Sequence, residues 1–332
     1  MPQLSVIICT HNPRAHYLSR VLGGLQAQTL PPDQWELLLI DNASKEPLAR
    51  VWDLSWHPQG RHVREDEVGL TAARLRSIQE CRGQILVFLD DDNIASADYL
   101  AEVVALFRDW PMLGAIGASI RGEFEVPPAE WMGPYLPGLA VCELDQDHWS
   151  NTHHWSLATP YGAGLSVRRH VAEYYADKVL NQPFRKLLGR SGTGLGAGED
   201  IDLALCAVDL GLGMGRFERL KLIHLIPKAR LTMDYIVNLN AGFATANELL
   251  AAIRRDGQGG RASFLKGRLR FLFDWVRARG IQRRVLWAMD KARRRAKGLI
   301  AAHDLNRLPP YAKNTLTCRE GLVTKKLNQE EQ

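Results

Sequence analysis

Strands alternating with helices over the first 120 residues predict an α/β fold built on a mostly parallel, doubly wound sheet. Short apolar runs recur at residues 4–9, 35–40 and 84–89, and helical periodicity fills the intervals between them. Polar clusters stand at the C-terminal ends of those runs, at residues 10–12, 41–44 and 90–93. Ligands of doubly wound sheets bind beyond the carboxyl ends of strands, so these clusters mark one candidate site.

Residues 4–9 read as a buried strand, followed by a loop at Thr10-His11-Asn12-Pro13. Residues 15–28 then form an amphipathic helix, because Leu18, Val21, Leu22 and Leu25 share one face at a period near 3.6. A second strand at 35–40 ends in Asp41-Asn42-Ala43-Ser44, and residues 70–81 read as helical. The apolar run at 84–89 ends in Asp90-Asp91-Asp92. Three carboxylates released together at a strand end repel one another, and a divalent cation or solvent must relieve that repulsion. Hard oxygen ligands of this kind suit Mg²⁺ or Mn²⁺; the alternative is a solvated acidic turn. A further helix is expected at 97–109 and a strand near 114–119.

The loop after the first strand lacks the G-x-G-x-x-G of a dinucleotide fold, and no G-x-x-x-x-G-K-[ST] loop occurs anywhere. Phosphates must therefore be held by other means, and a metal on the acidic run is the candidate. From residue 124 to 160 the pattern turns irregular, with Pro127, Pro128, Pro134 and Pro137 and the tryptophans Trp131, Trp149 and Trp155. A loop region this long inside a domain is usually functional. Its aromatic planes and His153/His154 could receive a sugar or lipid-linked acceptor, or the tryptophans could simply anchor the loop.

With 46% hydrophobic and 24% charged residues, the 332-residue chain has the composition of an ordinary globular protein. Five scattered cysteines, none in a C-x-x-C pair, argue against a disulfide framework and fit a reducing compartment, so a cytoplasmic protein is expected. No signal peptide is read at the N-terminus, and no stretch approaches the ~18 apolar residues of a membrane span. The net charge of +5 hides an asymmetry: residues 254–297 hold fifteen Lys/Arg against three acids. On a helical projection of residues 264–279, Leu265, Leu269, Leu272, Phe273 and Val276 share one face, with cations beside a second aromatic patch. Such a helix can lie at an anionic membrane surface, which the reading favours, or pack on the catalytic domain with its arginines in water. No nucleic acid is expected, since no recognised binding motif accompanies the charge.

Six segments in order resemble family 2 glycosyltransferases of the GT-A fold. They are Ser5-Val6-Ile7-Ile8-Cys9-Thr10-His11-Asn12, Leu39-Ile40-Asp41-Asn42-Ala43-Ser44, Gly69-Leu70-Thr71-Ala72-Ala73-Arg74, Phe88-Leu89-Asp90-Asp91-Asp92-Asn93, Tyr161-Gly162-Ala163-Gly164-Leu165 and Gly198-Glu199-Asp200-Ile201-Asp202. One departure is Leu75, where the family often has Asn. The resemblance implies a GT-A domain over residues 1–235, with 1–120 binding a nucleotide-sugar and 121–235 on the acceptor side; residues 236–332 form a basic helical extension.

Carried over by position, Thr10, Asn12, Asp41 and Arg74 would hold the nucleotide, Asp90 the ribose, and Asp91 would support the run. Asp92 would bind the metal, and His224 would complete the metal or diphosphate site. Asp200 would be the general base of an inverting displacement, with Glu199 beside it on the acceptor side. Arg230 would contact the leaving phosphate, and Trp155 the phosphate or acceptor. The implied activity moves a sugar, UDP-sugar favoured, to a glycan or lipid-linked hydroxyl. Helix capping is the competing reading of the Glu199-Asp200 pair. A sugar-nucleotide nucleotidyltransferase would want a Gly-rich basic loop after the first strand, which is missing. An inactive glycan-binding scaffold is the non-enzyme alternative.

Overall fold

β1 (Leu4–Thr10), β2 (Trp35–Asn42) and β4 (Ile85–Leu89) are apolar on both faces and lie at the centre of the sheet. Alternate side chains of a strand point to opposite faces, so such runs feed two cores at once. Leu4, Val6 and Ile8 enter one core with Leu37, Leu39, Val87 and Leu89. Ile7 enters the other with Leu38, Ile40, Leu86 and Phe88. Helices α1 (Ala15–Gln26) and α3 (Tyr99–Asp109) cover the first face. Helices α2 (Leu70–Glu80), α4 (Arg169–Asn181) and α5 (Glu199–Asp209) cover the second. The computed structural model describes residues 2–190, 196–254 and 275–303.

The sheet has nine strands in the order β3-β2-β1-β4-β8-β6-β9-β5, with β7 (His148–Ser150) added against β9. The nucleotide half, β3-β2-β1-β4, is parallel as expected, and β6 (Leu113–Phe124) also runs parallel to β9 (Gly213–Ile226). The three-residue strands β5 (Asn93–Ala95), β7 and β8 (Ser166–Arg168) pair antiparallel. Strands so short leave no readable period, which is why β7, inside the irregular stretch 124–160, was not read from the sequence. β3 (Gly60–Glu65) was likewise missed: it lies at the edge of the sheet, carries Arg61, His62, Arg64 and Glu65, and buries only Val63.

The irregular region contains a 3₁₀ segment, Glu130–Leu139, whose Met132 and Leu139 are buried with Ile236 and Leu239. Those two residues belong to α6 (Met233–Ile253), which starts at a Thr232 hydroxyl accepting the Tyr235 amide. α7 (Ile281–Ala302) lies along α6, burying Val285, Ala292, Ala296 and Ile300 and leaving most of its arginines in water. The described part of the basic C-terminal region therefore packs on the rest of the fold. The proposed membrane helix at 264–279 falls outside the described residues up to position 274.

Candidate donor and base site

The loops after the first two strands clasp each other. Asn12 sits in the left-handed region (φ 50°); its amide donates to the Ser44 hydroxyl at 2.9 Å, and its side-chain oxygen accepts the Lys45 amide. Asp41 accepts the Ser44 and Leu48 amides and the Arg64 guanidinium at 2.7 Å. Burial works against its ionisation, but these donors hold its carboxyl below the usual range. Thus Asn12 and Asp41 shape the two loops directly. Asn42, which sequence reasoning passed over, donates to the Glu65 and Glu67 carbonyls and accepts the Gly69 amide, fixing the entry to α2.

The three aspartates stand in three different environments. Thr10 donates its hydroxyl to Asp91. Burial, with Asp92 and Asp90 beside it, pushes the Asp91 carboxyl up to about 6. Asp90 is also raised, by burial and then by Asp92. For Asp92, burial is outweighed by His224, Arg230 and Arg190, which hold its carboxyl near about 2. Asn93 ties the turn together: its side chain accepts the Asp90 amide and donates to Asp92 at 3.0 Å.

Pairing of β5 with β9 sets Asn93 opposite His224 and so delivers His224 to Asp92. The His224 Nε2 lies 3.4 Å from Asp92 Oδ1, and Arg230 reaches Asp92 Oδ2 at 3.0 Å. Arg230 Nη1 also lies 3.1 Å from His224 Nε2. The tautomer decides which contact Nε2 makes, since a protonated Nε2 donates to Asp92 and a bare one accepts from Arg230. Asp92 and His224 both lie against the Arg230 guanidinium. The other ring nitrogen, Nδ1, is buried without a hydrogen-bond partner.

Among the described residues, no group of three or more His, Cys, Asp or Glu side chains could hold a metal. Asp92 and His224 nevertheless fit as two of its ligands. Mg²⁺ and Mn²⁺ commonly take few protein ligands and complete their shells with phosphate oxygens and water.

A second carboxylate set lies across the strand ends, at the start of α5. Glu199 is buried and paired with Arg74 at 2.8 Å, and it accepts the Thr71 hydroxyl at 2.8 Å. Burial raises the Glu199 carboxyl above its usual value against the pull of Arg74. The structure thus places Arg74 under the helix start and over the Phe88 ring, with only 3% of its surface exposed. It places Glu199 as its partner, equally enclosed.

Asp200 accepts the Gly162 amide at 2.8 Å and is only partly covered. A Cβ on Gly162 would stand 3.1 Å from Asp200 Oδ2 and 3.3 Å from Arg74 Nη2, so the bare backbone there lets three groups meet. Gly189 serves the same purpose below, where a Cβ would collide with Thr71 and Glu199. Behind this start, Asp202 is held by Arg185 at 2.6 Å and Arg254 at 2.8 Å, and Arg254 also binds Asp209. Trp155 is 61% exposed in its loop. Arg190, unnoticed in the sequence, adds positive charge near Asp90, Asp92 and Glu199; it works with His224 and Arg230 at Asp92, and at Asp90 and Glu199 it only opposes the rise that burial causes. Its signal is only its place beside the glycine run, whose residues 191–195 lie outside the described part.

Residues 5–162 match the profile of glycosyl transferase family 2. That stretch, just under half of the chain, carries the family's pattern. Over 172 residues it is 22% identical to a glucosyl-dolichyl phosphate glucuronosyltransferase of Haloferax volcanii, covering 51% of this chain and 53% of the relative. It is 24% identical over 205 residues to the succinoglycan biosynthesis protein ExoM of Rhizobium meliloti, covering 60% of this chain and 59% of that one. The alignments thus span somewhat over half of these curated relatives.

Two solved structures share the fold. A mannosyltransferase of Pyrobaculum calidifontis, in complex with GDP-Man and Mn²⁺, gives a TM-score of 0.52 at 19% identity, covering 94% of this chain and 77% of that one. S. aureus TarS 1–349 gives 0.51 at 13% identity, with 92% and 88% covered. The chain thus has the GT-A fold that the six motifs implied. No helix among the described residues is long and apolar enough to cross a membrane.

Proposed function

We propose that this chain is an inverting glycosyltransferase that moves a sugar from a nucleotide-diphosphate donor, UDP-sugar favoured, to a hydroxyl of a glycan or lipid-linked acceptor. The observation that carries the reading is the separation of two carboxylate sets. One, Asp92 with His224, faces a positive charge; the other presents a partly covered Asp200 on a rigid helix start.

Breaking a glycosidic bond to a diphosphate releases negative charge on the leaving oxygens. Bound Mg²⁺ or Mn²⁺ would supply Lewis-acid stabilisation of that charge, with Asp92 and His224 as its protein ligands. Arg230, and Arg190 further out, add fixed positive charge around the same position. The loops clasped by Asn12 and Asp41, with Thr10 and Asp90, form the nucleotide side. Asp200 takes the proton of the attacking hydroxyl, and base catalysis of this kind contributes ~10²–10⁴-fold. Its Oδ2 is oriented by the Gly162 amide. Glu199 acts on the reaction through position: paired with Arg74 and Thr71, it anchors the turn that aims Asp200. Attack from the face opposite the diphosphate inverts the anomeric carbon.

A screen of nucleotide sugars for Mn²⁺-dependent hydrolysis tests this function. Turnover of one donor, lost on removing the metal, is the expected result. Absence of binding by any nucleoside diphosphate would overturn the reading.

A further inference from the structure

A cavity of about 1160 Å³ lies where α6 and α7 meet the catalytic domain. It exceeds the roughly 300–1,000 Å³ of ordinary small-ligand pockets, so a lone phosphate or a single sugar would leave it mostly empty. Its lining divides by chemistry. Val237, Ala241 and Ala246 of α6 and Ala288 and Ala292 of α7 give it an apolar body, with Trp275 and Trp287 beside them. The charged side chains there are six cations and one acid.

That single acid, Glu67, is taken by Lys186 at 2.6 Å, and Arg284 is taken by Asp234 at 2.7 Å. Arg283 and Lys291 instead lie over the rings of Trp275 and Trp287, at 4.5 Å and 5.1 Å from the centroids. Among the described residues no carboxylate stands on Arg283, Lys291 or Arg295. An enclosed space with an apolar body and several uncompensated cations is complementary to an anion carried on an apolar chain.

The position of this cavity relates it to the reaction. Its wall includes Thr71, whose hydroxyl holds Glu199 beside the proposed base, and Gly189, which packs against the same two side chains. Arg190 is also in the wall and acts on Asp90 and Asp92. The cavity therefore reaches the residues that pack behind Glu199.

We propose that this cavity seats the lipid-linked acceptor as one molecule, its phosphate on Lys291 and Arg295, which are neighbours one helical turn apart, and its adjoining chain along α6 and α7. Making the bound amphiphile the acceptor rests on the glycosyl-transfer reading; the amphiphile site itself does not. The arrangement accounts for the basic surplus of the C-terminal region as a site for a single lipid phosphate, distinct from adsorption to a bilayer.

Calorimetry on the full chain tests it with three probes below their micelle concentrations. Dodecyl phosphate carries both features, inorganic phosphate only the anion, and dodecyl maltoside only the chain. Saturable binding of dodecyl phosphate at one site, at least tenfold tighter than either control, is expected. The double substitution Lys291→Gln/Arg295→Gln and the single Trp287→Ala should each weaken it about tenfold. All three side chains are exposed, and unchanged thermal unfolding would confirm that the variants fold.

Equal binding of inorganic phosphate would overturn the proposal as an adventitious anion site. Equal binding of the maltoside, or dodecyl phosphate affinity unmoved by both variants, would overturn it as non-specific. Adsorption to anionic vesicles that survives saturation with dodecyl phosphate would assign the cations to the bilayer instead. UDP binding, measured alongside, separates the two readings. If UDP binds and dodecyl phosphate does not, the cavity assignment falls alone; the reverse leaves the amphiphile site and removes the donor.

Discussion

Arg74 and Glu199 meet at 2.8 Å beneath the helix start that carries Asp200, and both are almost completely enclosed. A buried ion pair of this kind contributes little net stability by itself, because desolvating two charges offsets their attraction. Its value lies in geometry. Glu199 also takes the Thr71 hydroxyl, so α2 and α5 are locked at one point and Asp200 is held over Gly162.

Breaking one half of that pair should therefore be severe. Arg74→Ala leaves an uncompensated buried carboxylate, a change that typically costs about 3–5 kcal/mol. Glu199→Gln keeps the shape and the Thr71 contact and should cost less, yet still lower turnover by loosening Asp200. Urea unfolding of both variants checks the order; equal losses would show that the pair is not what holds the helix start.

Asp200→Asn should spare nucleotide binding and reduce kcat by roughly 10²–10⁴-fold, since the amide keeps its hydrogen bond to Gly162 but accepts no proton. Single-turnover kinetics with calorimetry for UDP reads both quantities. Near wild-type turnover would remove Asp200 as the base.

Removing metal should weaken diphosphate binding in the native chain. In Asp92→Ala, adding or chelating Mn²⁺ should make little further difference, because Asp92 is the ionised ligand that His224 accompanies. Titrating UDP with and without EDTA into both proteins gives the comparison. A metal effect that persists undiminished in the variant places the ion elsewhere.

Stability should fall on the acid side through Asp202. Its burial would raise the carboxyl, but Arg254 and Arg185 overcome that and hold it below 3.8. A depressed folded-state pKa gives stability that is full above the ordinary carboxylate value and lost as pH falls through the folded one. Denaturation between about pH 3 and pH 7 should show a shallower acid limb for Asp202→Asn than for the native chain, on a lower plateau. Parallel curves would mean that other carboxylates set the acid limit.

Gly189→Ala should destabilise the chain by about 1–3 kcal/mol, as overpacking of a filled site does. The added methyl has no room between Thr71 and Glu199. A melting temperature equal to that of the native chain would show that the 183–188 segment can shift to admit it.

The sequence by itself determined the parallel nucleotide half. Leu4, Ile7, Leu37, Leu38, Val87 and Phe88 recur at strand period between helical stripes, and burial on both faces requires such runs. It also located Asp92 and Asp200, because carboxylates at a strand end and at a helix start are local signals. Tertiary structure decided the pairings, which join residues remote in the chain. β5, three residues long and without a readable period, brings His224 to Asp92, while Arg74 turns inward to Glu199 rather than outward to solvent. Tertiary packing also set α7 against α6, leaving Arg283 and Arg295 at the rim of a cavity that no stretch of sequence could enclose alone. Period and composition act within a segment; a buried charge finds its partner only when distant segments pack together.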